Sequence, residues 1–201
     1  MRTLLLTLLL SVPASGGLFS YGLEIGTPLT DVTQTTTLAG INYLRNSTLF
    51  TIGPSLQVNL PAGYTVEVEA LYRPVAYQIA TTASLPYNSV VSTGNVSASQ
   101  FRFPVLVQKH FGKLPILKPY GEAGLSFDHL ANLSQAVKLL TSQPGAIVQT
   151  THAGLVLGFG VDVKVPFVKI SPEIRYTRQF SSDFQGISEL NQAEVLIGIR
   201  F

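Results

Sequence analysis

Residues 192–201 alternate without a break. Ala193, Val195, Ile197, Ile199 and Phe201 share one parity, and Gln192, Glu194, Leu196, Gly198 and Arg200 share the other. Successive side chains of an extended backbone point to opposite sides, so a period of two predicts a strand with one oily and one polar or small face. Residues 152–164 repeat the pattern. There Ala153, Leu155, Leu157, Phe159, Val161 and Val163 oppose His152, Gly154, Val156, Gly158, Gly160, Asp162 and Lys164. In 168–180, Val168, Ile170, Pro172, Ile174 and Tyr176 oppose Lys169, Ser171, Glu173, Arg175, Thr177 and Gln179. Similar divisions run through 64–73, 100–108 and 119–128, and less regular ones through 19–27 and 48–60, which makes eight predicted strands.

The connections alternate in length. Those at 61–63, 112–118 and around Pro166 are short, whereas 28–47, 78–98, 129–150 and 181–191 are longer and rich in Thr, Ser, Asn, Gln and Gly. The Thr-rich run at 33–37 reads as loop. Three short turns and four long loops on opposite ends describe an up-and-down meander with both chain termini at the short-turn end. The predicted strands are long enough to cross a bilayer obliquely, and short turns facing longer loops are typical of membrane barrels. The expected fold is therefore all-β, an eight-stranded antiparallel up-and-down transmembrane β-barrel.

Cost decides which face meets lipid. A charged side chain against hydrocarbon costs a few kcal/mol near the midplane, whereas a polar lumen can pair or hydrate it. The oily parity must point outward. Six of the seven glutamates then point inward (Glu24, Glu67, Glu69, Glu122, Glu173 and Glu194), together with Arg73, Arg102, Arg175 and Arg200. These ten residues are expected to form an internal ionic network, which in a narrow eight-stranded lumen argues against a wide pore. Gly158 and Gly160 lie on the inward parity, where they make room for larger neighbours. Aromatic residues at strand ends, namely Tyr21, Phe50, Tyr64, Tyr72, Phe101, Phe111, Tyr120, Phe127, Tyr176 and Phe180, suit interfacial girdles.

Composition narrows the chemistry. Charged residues make up 12% of the 201-residue chain, about half the usual share, while 46% is hydrophobic and the net charge is +2. That balance offers no field for gripping nucleic acid. The absence of cysteine excludes disulfides, thiolate metal sites and a thiol nucleophile. His110, His129 and His152 show no ligand spacing; Asp128 and His129 with His152 come nearest to a metal or hydrolase constellation. No Gly-x-Ser-x-Gly elbow, phosphate loop or dinucleotide fingerprint occurs. The reading is non-enzymatic, with no metal and no cofactor. At the N-terminus, Arg2, an apolar run at 4–10 and the small residues at 13–17 read as a secretory signal peptide over residues 1–14, leaving 15–201 as the barrel domain, with a cut after Gly16 fitting nearly as well.

The closing run Glu194-Val195-Leu196-Ile197-Gly198-Ile199-Arg200-Phe201 resembles the β-signal of bacterial outer-membrane barrels. With Pro172-Glu173-Ile174-Arg175-Tyr176 and Lys118-Pro119-Tyr120-Gly121-Glu122-Ala123-Gly124, the chain resembles the outer membrane protein β-barrel domain family, small eight-stranded barrels of OmpA-like and OmpX-like architecture. The resemblance implies export to the outer membrane of a Gram-negative envelope, contact with outer-membrane lipid, and recognition of Val195, Ile197, Ile199 and Phe201 by the barrel assembly machinery. No peptidoglycan-binding domain is expected after the barrel. Among outer-membrane enzymes, the lipid A deacylase signature His-x-Ser-Asn is not matched at His152-Ala153-Gly154. The expected function is structural or surface-binding through four long extracellular loops, the surface ligand being unknown. A narrow channel for small or hydrophobic solutes and a soluble lipocalin-like binder are the alternatives. If the address at 1–14 is removed as read, intact-mass measurement of the protein from isolated outer membranes will give a chain beginning at Ser15.

Overall fold

The computed structural model describes residues 18–30, 36–38, 41–45, 50–82, 90–112, 116–131, 150–181 and 189–201. The signal-peptide reading at 1–14 lies outside the described residues, as do most of the long loops. The strands in chain order are β1 (Phe19–Pro28), β2 (Thr36–Leu38), β3 (Ile41–Arg45), β4 (Thr51–Leu60), β5 (Tyr64–Glu69), β6 (Leu71–Thr82), β7 (Val90–His110), β8 (Leu117–Ala131), β9 (Thr151–Val165), β10 (Val168–Gln179) and β11 (Asn191–Arg200). Every pairing is antiparallel, and β1 pairs with both β4 and β11, so the sheet closes on itself. The wall has eight staves. β5 and β6 are one stave interrupted at Ala70, whose N–H still reaches the Pro54 carbonyl at 3.0 Å. β3 and β4 form another, both pairing along β6.

The short turns depend on left-handed backbone. Gly63 and Gly112 supply it at no steric cost, with φ of 76° and 81°, while Ala62 and Phe167 adopt it at 61° and 76° without that advantage. Pro166 precedes Phe167 in the tight β9–β10 turn, and the Phe167 ring stands 94% exposed at its tip.

Two expectations from the sequence are corrected. The stretch 78–98 reads as loop in the sequence, yet β6 runs to Thr82 and β7 starts at Val90, paired in register from Leu71↔Arg102 to Thr82↔Val90 with one irregularity near the tip. The stretch 28–47 likewise contains the β2–β3 hairpin. Period two marks a strand only where the two faces meet different solvents. Beyond the bilayer neither face meets lipid, so polar β-formers such as Thr81, Thr82, Ser92 and Thr93 pair without leaving an alternating signature.

Burial is inverted relative to a soluble protein. Arg73, Arg102, Arg175 and Arg200 are among the largest fully buried side chains, while Val105, Val107, Leu125, Leu155, Leu157, Phe159, Ile174 and Ile197 are exposed on the outer wall. Aromatic contacts ring that wall: Phe50 meets Tyr72 at 6.2 Å between ring centroids, Tyr72 meets Phe101 at 5.6 Å, and Tyr21 stacks on Phe201 at 6.0 Å. Tyr120, whose residue type and place near a strand end suit a girdle, is not in one. Its even position in β8 turns it into the lumen, where it is fully buried. Replacing Leu157, which lies between Ala123 and Tyr176 in the ladder, by Arg will cost about 2–4 kcal/mol in urea titrations of the bilayer-folded protein.

Candidate functional site

The lumen is built from inward-facing side chains that meet across the barrel. At its centre, Arg175 on β10 donates to both carboxylate oxygens of Glu69 on β5, at 2.8 and 2.9 Å. Those two staves lie four places apart in a ring of eight, so this single pair spans the full diameter. The same guanidinium donates from Nε to Glu122 at 3.0 Å and from Nη2 to Glu173 at 2.5 Å. Tyr120 closes that layer by donating its hydroxyl to Glu173 at 2.6 Å.

Toward the long loops, Nη1 of Arg102 on β7 donates to both oxygens of Glu194 on β11, at 2.9 and 2.8 Å, again across four staves. Asp128 lies 3.5 Å from Arg102 Nε and accepts from Gln100, Gln179 and Ser126. Arg73 caps this end on the Thr30 carbonyl at 2.9 Å and Gln192 at 3.3 Å. Toward the short turns, Arg200 Nη2 donates to Glu24 and Glu67, both at 2.7 Å. Gln57 and Gln108 also donate to Glu67, and Ser55 donates to Glu24.

All ten residues assigned to the ionic network from sequence are therefore buried in the lumen, and nine of them are joined to one another through Arg102, Arg175 and Arg200; Arg73 donates to the Thr30 carbonyl and to Gln192. Glu24, Glu67 and Glu69 bring carboxylate oxygens within 4.8 Å of one another, a spacing that could hold a cation. Arg200 and Arg175 already supply that positive charge. Asp128 and His152 approach at 3.7 Å, but His129 is on the outer face, bonded to Thr151, so the three do not assemble. Val195, Ile197, Ile199 and Phe201 all point outward, with Ile197 and Phe201 exposed.

Sequence reasoning missed the neutral members Gln57, Gln100, Gln108, Ser126 and Tyr120, and the acids Asp128 and Asp162. All share the inward parity, so extending that criterion from charged to polar residues would have found them.

Residues 13–185 match the family of the outer membrane protein beta-barrel domain. The chain belongs to this family. It is therefore an outer-membrane protein, and the oily outer wall is its contact with outer-membrane lipid. Among solved structures, Neisserial surface protein A (NspA) is 13% identical with a TM-score of 0.54, covering 92% of this chain and 96% of its own. OprG from Pseudomonas aeruginosa is 14% identical with a TM-score of 0.53, covering 91% and 94%. At such identities the likeness concerns the fold. No curated protein matches the chain.

For this outer-membrane barrel the cross-lumen pairs set stability. Removing one partner of a buried ion pair typically costs about 3–5 kcal/mol, because the other charge is left uncompensated. Arg175→Met strands three glutamates and will lower the unfolding free energy by at least that much. Adding Glu69→Gln will restore part of the loss, a non-additivity that a double-mutant cycle in urea titrations will read.

Proposed function

We propose that the protein is a non-conducting, non-enzymatic outer-membrane scaffold that presents its long loops at the cell surface for binding. The observation that carries this reading is the pair of diametric bridges Arg175–Glu69 and Arg102–Glu194. A guanidinium in direct contact with a carboxylate on the opposite stave bars the middle of the lumen at that level. Two such levels cross it.

The projection of the wall supports the surface role. β7 is 21 residues long, about twice what a tilted strand needs to cross the hydrocarbon. Beyond the rim, β7, β6, β3 and β2 lie side by side as a four-stranded ribbon at the long-loop end. Membrane barrels place their longer loops outside the cell and their short turns in the periplasm, which would put this ribbon at the cell surface. Binding residues sit most often on such loops over a rigid scaffold. With short turns in the periplasm, the removed signal peptide at 1–14 and recognition of the Val195, Ile197, Ile199 and Phe201 strand by the assembly machinery complete the reading.

The non-enzymatic part rests on local geometry. Ser126, Asp128 and His152 come together on the inner wall, and Ser126 donates its hydroxyl to the aspartate. A nucleophile needs its base within hydrogen-bond reach, and here the acid occupies that place. Reconstituted into planar bilayers, the wild-type barrel will show no discrete conductance steps while running as a compact, heat-modifiable band on gels. Steady wild-type conductance would replace this reading with the narrow channel.

A further inference from the structure

We infer that the cavity at the short-turn mouth of the barrel is a binding site for a phosphate group. The cavity has a volume of about 700 Å³. Its inner wall carries Lys118, Lys164 and Lys169 against one acid, Asp162, and Arg200 lies at its base.

The register of the strands makes this arrangement costly when empty. Lys169 on β10 pairs directly with Lys164 on β9 on one side and with Arg200 on β11 on the other. Three cations thus stand in one hydrogen-bonded row, and like charges directly opposite each other in a sheet are destabilising. The acid does not offset them all. Asp162 is divided among His110 at 2.9 Å, Ser171 at 2.6 Å and Lys169 at 3.2 Å. Among the described residues, no carboxylate lies within ion-pairing distance of Lys118 or Lys164. Beneath them, Glu67 and Glu24 are engaged by Arg200, Gln57, Gln108 and Ser55.

An anion placed among these ammoniums turns the repulsion into attraction. Phosphate fits better than a single carboxylate, because it offers more acceptor oxygens and more charge to the lysines that share this cavity, and lysine binds phosphate as a point donor. The cavity's rim is apolar, with Phe19, Leu60, Tyr64 and Phe201. That rim suits a phosphate carrying a hydrocarbon chain, so the group could arrive on a lipid headgroup as well as free. The site is independent of the surface loops and of the direction in which the barrel is inserted.

The test is calorimetric titration of the full barrel, folded in a nonionic detergent, with inorganic phosphate in one arm and dihexanoylphosphatidylglycerol in the other. Saturable binding in either arm, weakened by added salt, supports the site; the arm that saturates at lower concentration identifies the source. The double variant Lys164→Gln/Lys169→Gln will bind at least tenfold more weakly, while Lys164→Arg/Lys169→Arg will retain binding. Arg178→Gln, a charge removed at the opposite end, will leave the affinity unchanged. Heat-modifiable gel mobility establishes that each variant is folded. No saturable binding in either arm, or equal affinity in the Gln double variant, would overturn the inference.

Discussion

Everything in this barrel follows from having hydrocarbon outside and almost no room inside. A charge on the outer wall has no partner, so the charges of the membrane-crossing strands must turn inward. Eight staves enclose a lumen no wider than two side chains laid end to end, so those inward charges must meet. Arg175 and Glu69 show the consequence, since they come from opposite staves and satisfy each other in a two-point contact. The network is less an addition to the fold than the way this narrow lumen compensates the charges it buries.

Small residues make that crowding possible. A Cβ at Gly160 would lie 2.5 Å from the Tyr120 ring and its hydroxyl oxygen, and one at Gly198 would lie 2.5 Å from Arg200 Nη1. Substitution at either position would displace a member of the network. The glycines therefore act with the large residues on neighbouring staves, and the register that pairs Tyr120 with Gly160 is what sets the two against each other. Because the lumen is packed in this way, variation in function has little room to arise there. It is left to the loops and to the two mouths.

The sequence carried the staves of the barrel and the direction of its charged side chains, because both are written in parity. Glu67 and Glu69 could be placed inward from their spacing alone. Their partners could not: nothing local in the chain says that Arg175 takes Glu69 while Arg200 takes Glu67, a choice made by closure and by the stagger of the staves. Tyr120 shows a different kind of miss. Its residue type suggested the interface while its parity in β8 pointed inward, and parity, which is geometric, prevailed over a statistical preference. The β6–β7 extension escaped for a third reason, the loss of alternation once both faces meet the same solvent.

Charge is also sorted along the barrel axis. The middle layers hold five glutamates, Glu24, Glu67, Glu69, Glu122 and Glu173, around two arginines, whereas the short-turn mouth holds three lysines around one aspartate. Neither layer balances alone. A relay joins them: Lys169 donates to Gln57 Oε1 at 2.8 Å, and the amide nitrogen of Gln57 donates to Glu67 at 3.1 Å. Gln57 thereby passes the field of the lysine to the acid without a direct ion pair, and its amide dipole is oriented by both. An arrangement that spends a neutral residue at this point keeps Lys164 and Lys118 uncommitted at the mouth, where a direct contact between lysine and glutamate would have drawn the positive charge down into the lumen.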